Sequence, residues 1–278
     1  MKQQNNIHAV KIDLNKVIRS QKNWFIRHIP NFVIYFLRKL IHENEINEAI
    51  EKDKNSYGID FIKGNLEYLN ITIDTLGTEN LPETGRFIFV GNHSLGGIDV
   101  YAALVSVYEK FPKIKIIANE ILMSVHNLKD MLLPVNVFNK NGQEVKENIN
   151  KVLASNDLHL MTFPAAEVSR KYKGVVQDRK WNKSFIRSAV NYQRDIIPIL
   201  IDAENSKSFY RFARFRKLLQ IKFPVELILL SNELFKKRNS TIRVIIGKPI
   251  SYLRFTNKHT DSEWAQIVKD EVYKLNEK

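Results

Sequence analysis

The 278-residue chain is 44% hydrophobic and 26% charged, the balance of a folded protein, and 43 Lys and Arg against 30 Asp and Glu leave a net charge of +13. It contains no cysteine, which excludes disulfides, thiolate nucleophiles and finger-type zinc sites. No run of 18 apolar residues occurs, so no bilayer-spanning helix is expected, and the first residues lack the pattern of a secretory signal.

The positive charge implies a polyanionic partner and is grouped in three blocks. Residues 1–42 carry eight basic residues and one acid, Asp13. Residues 168–187 carry Arg170, Lys171, Lys173, Arg179, Lys180, Lys183 and Arg187 against Asp178 alone. Residues 207–222 add Lys207, Arg211, Arg214, Arg216, Lys217 and Lys222 with no acid.

Taken in chain order, the segment from Trp24 to Ile41 repeats apolar residues at helical spacing, and its regular helix is expected to start near Pro30. Phe25, Ile29, Phe32, Phe36 and Leu40 share a face opposite Arg and Lys. Such a helix suits either the protein's own core or an anionic membrane surface. From residue 86 onward, strand-like runs alternate with helical stretches. The runs are Phe87–Gly91, Ile114–Ala118, Leu132–Phe138, Leu158–Phe163, Ile196–Ile201, Glu226–Leu230 and Ile242–Ile246. Helices are expected near 98–110, 143–155, 181–193, 206–219 and 261–276, the last opened by a capping box of Thr260 and Glu263. The alternation predicts an α/β fold, a mostly parallel sheet flanked by helices. No Gly/Ser-rich linker divides it, so the chain is read as a basic helical region, 1–64, followed by one α/β domain, 65–278.

Ligands of open α/β sheets bind beyond the carboxyl ends of strands. Two such junctions carry ionisable groups: Gly91-Asn92-His93-Ser94-Leu95-Gly96-Gly97-Ile98-Asp99 and Phe163-Pro164-Ala165-Ala166-Glu167-Val168-Ser169-Arg170. His93 and Asp99 are the parts of a general base and its orienter. Six residues apart on a straight helix they would diverge by about 120°, so facing each other requires an irregular loop, which Gly96-Gly97 permits. The same residues also fit a hydrogen-bonded His beside a helix-capping Asp. There is no G-x-S-x-G elbow, and the seven His residues are scattered without metal-ligand spacing, so neither a nucleophilic triad nor a metal site is expected. His159 lies within a strand and reads as a core residue.

Asn92-His93 followed closely by Asp99, then Phe163-Pro164 with Glu167 and Arg170, resembles the glycerolipid acyltransferases related to 1-acylglycerol-3-phosphate acyltransferase. A Bacteroidetes-type branch, with N-H-P-L-G-G-L-D and F-P-A-G-E-V-S-R, is closer still. It also has stretches like Ile197–Ile201, Asn205-Ser206, Phe209–Arg214 and Ile246–Ile250, and the likeness runs from about residue 65 to 255. Against the family, Ser94 replaces a Pro, and Ala166 stands where Gly is usual.

The resemblance implies that His93, partnered by Asp99, deprotonates an acceptor hydroxyl that attacks an acyl thioester. It places Asn92, Ser94, Gly96, Gly97, Asn139, Phe163, Pro164, Glu167, Ser169 and Arg170 about the substrates, with Arg170 gripping an anionic head group. The donor would be acyl-CoA or acyl carrier protein, used as a substrate, with no cofactor. The acceptor would be a lysolipid such as 1-acylglycerol-3-phosphate or, alternatively, the precursor of a glycine- or ornithine-type amino-acid lipid. Peripheral attachment to the cytoplasmic side of a bacterial inner membrane follows. Two other classes are a non-catalytic membrane-surface protein on the same fold and a nucleic-acid binder. The second lacks any helix-turn-helix, RRM or OB signature, so no nucleic acid is expected.

Overall fold

Runs such as Phe87-Ile88-Phe89-Val90 are apolar at every position, and a strand built that way must be covered on both faces. That is the arrangement found. The computed structural model describes residues 12–20, 24–136, 142–218 and 229–277. Its main sheet comprises β1 (Thr72–Leu76), β2 (Phe87–Gly91), β3 (Ile114–Asn119), β4 (Leu132–Val135), β5 (His159–Thr162), β8 (Asp195–Asp202) and β9 (Thr241–Ile246), in the order β1-β9-β8-β2-β5-β3-β4. Every neighbouring pair is parallel except β8 with β9. The expected mostly parallel sheet is therefore present, with an added antiparallel step. β6 (Arg170–Tyr172) and β7 (Val175–Gln177) form a separate hairpin.

Alternation divides each strand between two cores. Phe87 and Phe89 of β2 join Ile197, Ile199 and Ile201 of β8 beneath α5 (Gly58–Tyr68) and α6 (Gly97–Val107). Ile88, Val90, Ile196 and Leu200 face α7 (Gln143–Ala154), α8 (Ser184–Tyr192) and α11 (Asp261–Tyr273). Each such side chain, fully buried, contributes on the order of 1.5–3 kcal/mol. The expected capping box of Thr260 and Glu263 opens α11.

Before the sheet lie α1 (Leu14–Arg19), α2 (Trp24–Arg27), α3 (Asn31–Leu40) and α4 (Glu43–Lys52). Pro30 is the N-cap residue of α3, and His42, at φ 56°, breaks the chain between α3 and α4. On α3, Ile34 is buried while Phe32, Tyr35 and Phe36 are exposed. Helix α5 runs unbroken across residue 64, and its Phe61 and Ile62 belong to the sheet's own core. After β8 come α9 (Lys207–Leu218) and α10 (Leu229–Lys236).

Three elements differ from the sequence expectation. Leu229 and Leu230, read as the end of a strand from Glu226, instead open helix α10, and residues 226–228 lie outside the described residues. A short continuous apolar run has no period that separates a strand from a buried helix. β1 was not expected because Thr72-Ile-Asp-Thr-Leu76 is an edge strand with little apolar signal. The hairpin was hidden in the basic block; its turn, Lys173-Gly174, has φ of 46° and 91°, matching a two-residue hairpin connection. The strand expected at 132–138 is described as far as Val135, and residues 137 and 138 lie outside the described residues.

Candidate active site

β2 ends at Gly91, and the next residues make an irregular turn before α6 begins at Gly97. Gly96 has φ 101°, a backbone state that costs a side chain dearly, and this turn folds the first turn of α6 back over the loop. Asp99 is thereby brought opposite His93: the imidazole Nδ1 lies 2.9 Å from Asp99 Oδ2. The Asp99 side chain is fully buried and also accepts the backbone N–H groups of Leu95 and Gly96, at 2.9 Å to Oδ2 in both cases. A carboxylate can only accept, so Nδ1 carries the ring proton and Nε2 holds the free lone pair. The His93 side chain is 19% exposed, and its ring lies 5.4 Å from that of Phe163.

Other expected residues turn their polar atoms inward. Asn92 is buried and pairs with the β8 backbone, Oδ1 accepting from Ile201 N at 2.7 Å and Nδ2 donating to Ile201 O at 3.1 Å. Ser94 is also buried, with its hydroxyl 3.4 Å from both Asp99 Oδ1 and Ile201 O. Gly97 is exposed, and a Cβ there would meet nothing within 4 Å. Asn139 lies outside the described residues.

The second loop leaves β5 at Thr162 and lies directly against the first, Ser169 N donating to His93 O at 2.7 Å. Phe163, Pro164 and Ser169 are buried. Ala166 takes φ 57°, the left-handed state that explains why Gly is usual there. Glu167 pairs with Arg179 at 2.6 Å on the surface. Arg170 begins β6; its Nη1 donates to Val168 O at 2.6 Å, and the guanidinium lies over the Phe209 ring at 5.6 Å. Of the expected residues, the fold thus brings His93 and Asp99 together, sets the Phe163–Arg170 loop beside them, and places Arg170 at its edge.

Two residues to which the sequence reading gave no role hold these loops, although Asn205 lies in one of the stretches that carry the resemblance. Asp178 is buried beneath them, with its carboxylate on His93 N, Ser169 Oγ and Trp181 Nε1; burial raises its pKa. Asn205 is buried behind Ser94, donating from Nδ2 to Ser94 O at 3.0 Å, while its N–H donates to Tyr210 Oη at 3.0 Å. One signal was available for Asp178: it is the lone acid in the 168–187 basic block. No group of three or more His, Asp or Glu suited to a metal occurs among the described residues.

Comparison with known proteins gives a consistent set of relatives. The family model described as acyltransferase matches residues 16–278. A lyso-glycine lipid O-acyltransferase of Bacteroides thetaiotaomicron is 36% identical over 265 residues, covering 95% of this chain and 97% of the relative. One of Phocaeicola vulgatus is 34% identical, with 95% of each chain covered. Among solved structures, the 1-acyl-sn-glycerophosphate acyltransferase PlsC of Thermotoga maritima superposes with a TM-score of 0.46 at 17% identity, covering 89% of this chain and 90% of that one.

Proposed function

The chain belongs to the acyltransferase family, and from that membership we propose that it moves a fatty acyl group from a thioester to the hydroxyl of a lyso-glycine-type lipid, with His93 as general base. The observation that carries the mechanism is the 2.9 Å contact of His93 Nδ1 with Asp99 at the carboxyl end of β2. His93 Nε2 takes the acceptor's hydroxyl proton as the oxygen attacks the thioester carbonyl. The C–S bond then breaks, the imidazolium returns its proton to the departing thiolate, and an ester remains. Asp99 keeps the ring oriented and stabilises its charged form, so neither a covalent enzyme intermediate nor a cofactor is called for. The acceptor class follows the names of the two Bacteroides and Phocaeicola relatives. An amino-acid lipid carries a carboxylate, which suits Arg170.

The lipid acceptor calls for a membrane-facing surface, and no helix among the described residues is long and apolar enough to cross a membrane. Peripheral attachment, proposed for the cytoplasmic side of an inner membrane, has two candidate faces. One is α3, with Phe32, Tyr35 and Phe36 exposed; the other is α9, with Phe212, Phe215 and Leu218 exposed among Arg211 and Arg214. Flotation with anionic vesicles compares Phe32→Ser/Phe36→Ser with Phe212→Ser/Phe215→Ser. Binding by both folded variants equal to that of the wild type removes both surfaces.

The reaction is tested with purified protein, acyl-CoA or acyl-ACP, and lyso-glycine lipid beside 1-acylglycerol-3-phosphate. Ester formation on lyso-glycine lipid that is lost in His93→Ala is expected. Preference for the phosphate acceptor overturns the acceptor assignment, and full activity in a folded His93→Ala variant overturns the mechanism.

A further inference from the structure

The base sits on a loop, and loops are the mobile part of an α/β domain; something must fix where the imidazole points. The backbone on both sides of His93 is gripped. Its N–H lies 3.1 and 3.2 Å from the two oxygens of Asp178, and its C=O accepts from Ser169 N at 2.7 Å. Ser169 Oγ in turn donates to Asp178 Oδ1 at 2.5 Å. These contacts close a ring from the first loop, through the second, to one carboxylate.

Asp178 is itself anchored by a helix far away in the sequence. It is 1% exposed, its N–H donates to Tyr273 Oη at 2.8 Å, and its C=O accepts from Lys269 Nζ at 2.7 Å. Both partners lie on α11. The remaining carboxylate contact is Trp181 Nε1, 2.8 Å from Oδ2. A carboxylate taken out of water is costly, and three donors from three segments are what keep it there.

We propose that Asp178 is a positioning residue that locks the base loop and the Phe163–Arg170 loop into one unit, so that His93 and the acceptor site keep a fixed separation. It touches no substrate; it acts through His93 N–H and Ser169. The proposal deepens the acyl-transfer reading and rests on it for the kinetic part of its test.

Three variants separate positioning from plain stability. Ser169→Ala opens the ring and leaves Asp178 on His93, Asp178→Asn weakens it at the centre, and Trp181→Phe removes the indole N–H bond while leaving both contacts between the loops and the carboxylate in place. Asp178→Asn and Ser169→Ala are expected to lower kcat about tenfold or more with KM for both substrates within about twofold, a loss of the kind that small misplacements cause. Their combination should be no worse than the poorer single variant. Trp181→Phe should lower the thermal midpoint and spare kcat. In ¹⁵N-histidine spectra, the His93 signals should shift or broaden in the first two variants and stay in place in the third, with His159 unmoved in Asp178→Asn and Ser169→Ala.

Unaltered kcat and His93 signals in folded Ser169→Ala and Asp178→Asn overturn the proposal, as does an equal kcat loss in Trp181→Phe. Should the wild type transfer no acyl group to any lysolipid, the reading of the reaction fails, and the histidine spectra alone judge the lock.

Discussion

One strand, β2, has a histidine at each end, and the two are treated in opposite ways. At its start, Phe87 N donates to His159 Nδ1 at 3.3 Å, and the rings of Phe87, Phe89 and Phe111 surround that imidazole. Burial, helped by the Arg194 cation, lowers the His159 pKa to about 4, so it stays neutral and serves as an acceptor within the core. Just past the other end, His93 has a carboxylate on one nitrogen and a fifth of its side chain open to solvent. The sheet therefore treats its two ends differently: the amino end is sealed, and the carboxyl end, where ligands of open α/β sheets generally bind, leaves an imidazole partly open to solvent. A side chain that can carry charge is useful only where the surroundings stabilise its charged form.

The sharpest way to break this contrast is to remove each histidine in turn. His93→Ala is expected to cost ~10²–10⁴ in kcat with the thermal midpoint nearly unchanged. A measured thermal loss without a rate loss would show that the two ends had been assigned the wrong way round.

The next effect is in stability and belongs to His159. Its native pKa lies below that of the unfolded chain, so on acidification the unfolded state takes up the proton first. The stabilisation is whole above about pH 6.5 and is lost as pH falls toward 4, an effect of about 2–3 kcal/mol. Denaturant unfolding at pH 7 and pH 4.5 should show a larger drop for the wild type than for His159→Asn.

At the ligand end, Arg170→Ala should raise KM for the acceptor about tenfold, near 1.4 kcal/mol, through loss of a guanidinium able to bind a carboxylate. Titrating each substrate separately checks this, and a rise confined to the acyl donor would exclude the assignment. The smallest effect is backbone relief at Ala166. Ala166→Gly removes left-handed strain of about 1 kcal/mol but loosens the unfolded chain, leaving a net gain near 0.5 kcal/mol by denaturant unfolding.

The contrast between the two ends of β2 was readable from sequence in part, and particular residues show why. Phe87–Gly91 appears as a strand over those same residues because a run of large apolar side chains bounded by Gly has few other uses. The pairing of His93 with Asp99 needed a loop that bends back, and the Gly96-Gly97 pair carried that information locally. Asp178 was invisible as a partner because it lies 85 residues from His93 in the chain and meets it only when α11 packs beneath the loops. Asn205 is farther still, 111 residues from the carbonyl that it holds. Leu229 and Leu230 were misread for a different reason: their apolar run lacked a period, and tertiary packing decided. What a residue does is local; what holds it there is not.

The parallel pairing of β1 with β9 has a consequence for how the molecule is made. Asp74 and Arg243 face each other across it, 169 residues apart. A ribosome adding about 5–20 residues per second needs roughly 10–30 s to bring the partner out after β1 has emerged. Throughout that interval β1 has no neighbour to bond, and the sheet cannot close from its amino-terminal side. Contacts of such long separation also slow folding once synthesis is complete, because the loop must close before any bond rewards it. The polar residues of Thr72-Ile73-Asp74-Thr75-Leu76 suit a waiting strand: an unpaired edge with an acid at its centre is a poor template for a neighbouring nascent chain.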